Sequence, residues 1–136
     1  MDFLKSISIA ASGLRAQAGR MRIISENIAN ADSTASRSGA DPFRRKVPTF
    51  VSEMDRALGA QVVALGTVRT DPSEFRLKYE PGHPAADGNG NVKYPNVNPL
   101  IEMTDMREAQ RSYEANINII GATRRMIQRT LDILKA

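Results

Sequence analysis

The sequence predicts a mainly α chain with a small β region: long N- and C-terminal helices forming a coiled coil, and a short central β element. Three observations carry this. Apolar residues recur at alternating spacings of three and four at both chain ends. Pro and Gly concentrate between those ends, where β-branched residues alternate only briefly. The chain has 136 residues with 5% aromatics, which allows one domain and a thin core.

The N-terminal seam runs Ile7, Ala11, Leu14, Ala18, Met21, Ser25 and Ile28. Six of these seven are apolar, which is a heptad a/d pattern held for three heptads. Asp2 is a suitable N-cap. Asn30 tolerates a left-handed C-cap, and Asp32-Ser33-Thr34 supplies turn chemistry after it. A helix over residues 3–30 is about 40 Å long at roughly 1.5 Å per residue.

The C-terminal seam runs Met103, Met106, Gln110, Tyr113, Ile117, Ile120, Arg124, Ile127, Leu131 and Leu134. Asn98-Pro99 reads as an N-cap followed by a first-turn proline. Glu102, Asp105 and Glu108 crowd the start, and Arg124, Arg125, Arg129 and Lys135 the end. Both groups oppose the local sign of the helix dipole. Between the helices, 46–51, 61–70 and 74–79 read as short strands and 81–90 as loop. The expected organisation is 1–34 as helix with an end motif, 35–97 as the central β and loop region, and 98–136 as helix.

Composition excludes several chemistries. With no Cys there are no disulfides, thiolate metal sites or cysteine nucleophiles. One His excludes multi-histidine metal centres. The stretch Asp87-Gly88-Asn89-Gly90-Asn91 opens like a calcium loop. Its sixth position is Val92 where Gly is required, and its twelfth is Asn98 where Glu is required. No phosphate-binding, dinucleotide or nucleophile-elbow glycine motif occurs. No cofactor, no metal and no enzymatic activity are expected.

The net charge of +4 is spread along the chain. Its densest basic cluster, Arg44-Arg45-Lys46, is too short for a phosphate tract, so it reads as solvated surface and no nucleic-acid partner is expected. No stretch approaches the roughly 18 apolar residues of a membrane span. Ala16-Gln17-Ala18 has the form of a signal-peptidase site, but Ser8, Ser12, Gly13 and Arg15 interrupt the apolar run before it. No cleaved signal peptide is expected.

The stretch Ser25-Glu26-Asn27-Ile28-Ala29-Asn30-Ala31-Asp32-Ser33-Thr34 places polar residues at a helix end, where carbonyls need partners. Preceded by Ser12-Gly13-Leu14, it resembles the N-terminal signature of the bacterial flagellar axial family of rod, hook and hook-associated proteins. Asp41 to Lys46, Gly82 to Asp87, Tyr94 to Pro99, Glu102 to Met106 and Arg111 to Asn116 are similar to the proximal rod members of that family. Phe43 stands where those members usually carry Tyr.

The resemblance implies a structural, torque-transmitting subunit of the periplasmic rod, whose terminal helices surround or line an axial export channel. It implies assembly with itself and with FlgB-like, FlgF-like and FlgG-like rod proteins and a FliE-like adaptor, after passage through the flagellar type III export apparatus. The expected assembly residues along the seams are Leu14, Met21, Ser25, Ile28, Met103, Met106, Tyr113, Ile117, Ile120, Ile127 and Leu131, and the apolar seams are expected to pair the two helices within the subunit. The polar Asn27, Asn30, Asp32, Gln110, Asn116 and Arg124 join them for contacts between subunits or toward the channel. The competing reading is a small cytoplasmic coiled-coil adaptor.

Overall fold

The helix ends form where the capping residues require. In the computed structural model, which describes residues 2–136, helix α1 spans Phe3–Ala29 and helix α2 spans Pro99–Lys135. The Lys5 N–H donates to Asp2 Oδ1 at 3.0 Å, and the Leu100 N–H donates to Asn98 Oδ1 at 3.1 Å. The other end of α1 differs from expectation. Among the described residues no non-glycine has positive φ, so Asn30 takes no left-handed cap. Its side chain instead donates to Glu26 O at 2.8 Å, satisfying a terminal carbonyl directly.

Six short strands separate the helices: β1 (Lys46–Val47), β2 (Phe50–Asp55), β3 (Ala60–Leu65), β4 (Arg69–Thr70), β5 (Arg76–Tyr79) and β6 (Asn91–Tyr94). They pair as three separate two-stranded antiparallel ladders, β1 with β4, β2 with β3 and β5 with β6. The strand expected over 46–51 is broken at Pro48-Thr49, since Pro has no N–H for a ladder. The strand expected over 61–70 is broken at Gly66-Thr67-Val68. Residues 52–55 of β2 and all of β6 lie outside the expected strands. Asn91-Val92-Lys93-Tyr94 is too short to show a period, and it becomes a strand by pairing with β5.

The chain divides into two compact units, and both helices contribute residues to each. The first unit comprises Met1–Met21, Thr49–Thr67 and Arg107–Ala136. Within it, adjacent residues of α1 serve two neighbours. Ser12 Oγ donates to Ile9 O at 2.6 Å and accepts the Val63 N–H at 3.2 Å, docking the β2–β3 hairpin. Seven residues on, a Cβ at Gly19 would lie 2.9 Å from the end of the Leu65 side chain, so a larger residue there would make Leu65 shift. A Cβ at Gly13 would lie 2.9 Å from the Asn116 amide, and Arg20 meets Glu108 at 3.6 Å. The partner number falls as the α1 number rises, so the helices run antiparallel here. The buried residues of this unit are Ala10, Ser12, Ala16, Ala109 and Thr123. All are small, which permits close approach but removes little apolar area from water.

The second unit comprises Arg22–Pro48 and Val68–Met106. It buries larger groups: Ile23, Ile24, Val92, Pro95 and Val97, together with Asn27 and Glu102. The segment 81–90 is an ordered turn. Asp87 Oδ1 accepts the N–H groups of Asn89 and Asn91, both at 2.9 Å, and Gly90 takes φ +83° under the Tyr79 ring. The carboxylate that suggested a calcium loop is spent on backbone donors.

These contacts give opposite expectations for two helix glycines. Gly13→Leu should lower stability by about 1–3 kcal/mol through overpacking against Asn116. Gly121 meets only the Arg125 side chain, at 3.5 Å, so Gly121→Ala should raise stability by about 0.5–1 kcal/mol. Urea unfolding followed by circular dichroism measures both; equal effects of the two changes contradict this packing.

Candidate assembly interface

The polar motif at the end of α1 is anchored by Asn27. Its Oδ1 accepts the Lys46 N–H at 2.9 Å, and its Nδ2 donates to Lys46 O at 2.8 Å and to Glu102 Oε2 at 3.1 Å. The carboxamide thus pairs with both backbone groups of a β1 residue, as a neighbouring strand would. Glu102 is 1% exposed, and its Oε1 accepts the Arg45 Nε–H. Asp71 and Asp105 approach the same guanidinium at 3.6 and 3.7 Å. Burial works to lower the Arg45 guanidinium, but the hydrogen bond and charge of Glu102, with Asp71 and Asp105 behind, hold it above its ordinary value. The Asp71 carboxyl is held below its ordinary value, first by the Ser73 N–H at 2.8 Å and the Ser73 side chain, then, against opposing desolvation, by Arg45.

Two sequence readings change here. The helix dipole accounts for Glu102 in the sequence, but the side chain is a buried ion that closes a network. Charge density makes Arg44-Arg45-Lys46 a solvated surface, but all three are half-buried and engaged within this unit. Arg44 donates to Asp71 O at 3.0 Å and Ser73 O at 2.9 Å, and stacks 4.2 Å above the Phe75 ring. Lys46 pairs with Glu26. The partners lie far off in sequence, so local charge density could not reveal them. The one available signal was that Asn27, Arg45 and Glu102 each fall inside a motif carrying the family resemblance.

The remaining expected residues fall into three groups by exposure. Along α2, Glu102, Ala109 and Thr123 are buried and Asn116 half-buried, which is one row at heptad spacing. Met106, Tyr113, Ile120 and Ile127 form a half-buried second row. Met103, Gln110, Ile117, Arg124 and Leu131 form a third row, exposed throughout: Met103 by 51%, Ile117 by 46% and Leu131 by 45%. In α1, Leu14, Met21 and Ile28 are half-buried, whereas Ala18 and Ser25 are exposed. Asn30 is half-buried as a cap; Asp32 is exposed, 3.7 Å from Arg76 Nη2.

The apolar seam read from α2 therefore combines a half-buried row with an exposed one, and the buried row sits one residue earlier. Sequence reading ranked rows by hydrophobicity. The fold ranks them by what each residue meets: Glu102 its ion pair with Arg45, Asn116 the space beside Gly13, and Ala109 and Thr123 burial that their small side chains allow. An exposed row at heptad spacing that carries Met103, Ile117 and Leu131 has the geometry of a helix-packing surface. Ile119, Met126, Ile133 and Leu134 extend the exposed apolar area of α2.

The network makes two predictions. Glu102→Ala leaves Arg45 and Asn27 without their buried acceptor and should cost about 3–5 kcal/mol in chemical denaturation; a cost below that of an ordinary surface change contradicts the network. Asp71 titrates lower folded than unfolded. Its stabilisation is therefore complete above its ordinary value of 3.8 and is lost as pH falls through the folded value. The stability difference between the native chain and Asp71→Asn should shrink on acidification below 3.8 and stay constant from there to neutrality. Urea titrations across that range check it.

Comparison with known proteins places these elements. The family described as Flagella basal body rod protein matches residues 7–35, which hold the Ser12-Gly13 contact and the Asn27 motif. The family described as Flagellar basal body rod FlgEFG protein C-terminal matches residues 89–133, from β6 through most of α2. The chain is 55% identical over 137 residues to the flagellar basal-body rod protein FlgC of Agrobacterium fabrum, covering 100% of this chain and 99% of that protein. It is 38% identical to FlgC of Salmonella typhimurium, covering 98% of each, and 35% identical to FlgC of Bacillus subtilis, covering 99% of this chain and 100% of that protein. The chain belongs to the FlgC family of flagellar basal-body rod proteins.

Proposed function

We propose that this chain is a structural subunit of the bacterial flagellar basal-body rod, built to pack against neighbours along its helices and to transmit torque. The observation that carries the mechanism is the exposed row Met103, Gln110, Ile117, Arg124 and Leu131. Heptad spacing suits a coiled-coil partner, whose packed side chains resist shear because dense interfaces compress little. The small-residue packing of the first unit supports the same reading, since it leaves the larger apolar side chains of α2 for other subunits. Leu14, Met21 and Ile28 of α1, with Met106, Tyr113, Ile120 and Ile127 of α2, would complete such contacts. Ser25, Asp32, Gln110, Arg124 and the half-buried Asn30 and Asn116 would supply hydrogen bonds between subunits or face the axial channel; Asn27 serves this surface indirectly, by anchoring the motif.

The finer placement follows family membership. The reading puts the chain in the proximal, periplasmic rod, among FlgB-like, FlgF-like and FlgG-like proteins and a FliE-like adaptor next to the inner-membrane ring. It arrives through the type III export apparatus without a cleaved signal peptide. The burial of Ala16 in the middle of α1 supports this last point, because cleavage there would remove a packed part of the helix. Among the described residues no helix is long and apolar enough to cross a membrane. The relatives carry the names of rod proteins, which supports a structural rather than an enzymatic role and weighs against a cytoplasmic adaptor.

Ile117→Asp tests the assembly row. Because Ile117 is exposed, the change should alter the stability of the free chain by less than about 0.5 kcal/mol. Swimming in soft agar and the yield of intact rods should both collapse, since a charge would be desolvated in the assembled interface. Full swimming with Ile117→Asp overturns this use of the row.

A further inference from the structure

The β2–β3 hairpin has one covered edge and one open edge, and its hydrogen-bond phase shows which residues line each. The Gly66 N–H donates to Thr49 O at 2.7 Å, so residues 49 and 66 are a hydrogen-bonded pair. Alternation along the register then turns the backbone groups of Val51, Glu53 and Asp55 inward to β3. The same phase turns Val63 away from β2, and its N–H indeed meets Ser12 Oγ on α1. By that alternation the N–H and C=O groups of Phe50, Ser52 and Met54 point away from β3. Among the described residues no other segment pairs with that side of β2. Phe50 through Met54 are all exposed, and no Lys or Pro within the strand blunts the edge.

Such an edge accepts an extended strand. The register also places exposed Phe50, Met54 and Val63 on one face of the hairpin, because Val63 sits opposite Ser52. We propose that this edge pairs with the β2 edge of a second copy of this chain, antiparallel and two-fold symmetric about Ser52. A second copy suits this edge because the strand is self-complementary, its exposed Phe50 and Met54 meeting their counterparts across a two-fold, and the phase and the charges select the register. Outward residues must meet outward residues, so only every second register forms hydrogen bonds. One step in one direction sets Glu53 against Glu53 of the second copy, and the next sets Glu53 against its Asp55. Like charges directly opposite destabilise a sheet. One step the other way sets Met54 against Pro48 of the second copy and shortens the overlap. Centring on Ser52 pairs Phe50 with Met54 of the second copy, Val51 with Glu53 and Thr49 with Asp55, with no like charges opposed. The two hairpins then form one four-stranded sheet.

This contact is isologous, whereas a polar shaft needs heterologous contacts. It therefore belongs to the free chain before assembly and stands whether or not the row on α2 packs in the rod. The chain has no Cys, which makes cross-linking decisive. Under mild oxidation Ser52→Cys should form a disulfide-linked dimer at least tenfold faster than Glu53→Cys, because only residue 52 meets itself across the two-fold. In sedimentation velocity without oxidant, the native chain should show a concentration-dependent dimer. Ser52→Pro should be monomeric with unchanged circular dichroism, since the backbone donor it removes points outward and the one other bond it loses is the exposed hydroxyl contact to Gln61. If Ser52→Pro unfolds the hairpin, Met54→Lys replaces it, placing a charge against Phe50 of the second copy, and should also be monomeric. Equal cross-linking of Ser52→Cys and Glu53→Cys, or a dimer surviving a folded Ser52→Pro or Met54→Lys, overturns the proposal. Soft-agar swimming by these variants reads rod membership separately.

Discussion

The buried Glu102 carboxylate is the constraint around which the second unit is arranged. A carboxylate taken out of water must be met by charge and by donors. Arg45 supplies the charge and Asn27 the further donor, and each is itself held. Asn27 is locked by both backbone groups of Lys46, and Arg45 by the acceptor of Asn96 on its own N–H, at 2.8 Å. Asn96 in turn donates to Asp71 O at 3.1 Å and to the Ser73 hydroxyl at 2.9 Å. The start of α2, the end of α1 and β1 therefore meet through one polar centre, while Ile23, Ile24, Val92 and Val97 supply the apolar area around it. Replacing any member strands the others, which makes this arrangement specific as well as stable.

The first unit obeys a different constraint. Its buried side chains are small, and its contacts depend on backbone approach at Gly13 and Gly19 and on the Ser12 hydroxyl. Close approach of this kind specifies geometry but contributes little hydrophobic free energy, which scales with apolar area removed from water. Large apolar side chains remain outside, on α2 at Ile117, Ile119, Met126 and Leu131 and on the hairpin at Phe50 and Met54. A subunit of an assembly gains from this division. One set of residues shapes the chain, and another, still solvated, is free to stabilise contacts with neighbours.

The two helix faces also separate what a variant would report. A change at Gly13 or Glu102 acts on the fold and only then on assembly. A change at Ile117 or Leu131 acts on assembly with little effect on the isolated chain. Stability and motility measured on the same variants therefore distinguish packing within a subunit from packing between subunits.

The sequence alone determined the elements that local chemistry controls. Asp2 and Asn98-Pro99 set the helix starts, because caps act within one turn. The three-four spacing marked both helices for nearly their full length, and Ser12-Gly13-Leu14 with the Asn27 motif carried the family resemblance. Tertiary structure decided everything that depends on a distant partner. Periodicity gives a stripe on a helix but not which side of the stripe a neighbour takes. The choice of Asn116 over Ile117 came from the absence of a side chain at Gly13, more than ninety residues away. Arg45 and Glu102 were legible as charges but not as a pair, since a buried ion pair has no local signature. β6 became a strand only through β5. In each case the deciding interaction joins residues that the linear order separates, and only folding brings them within reach.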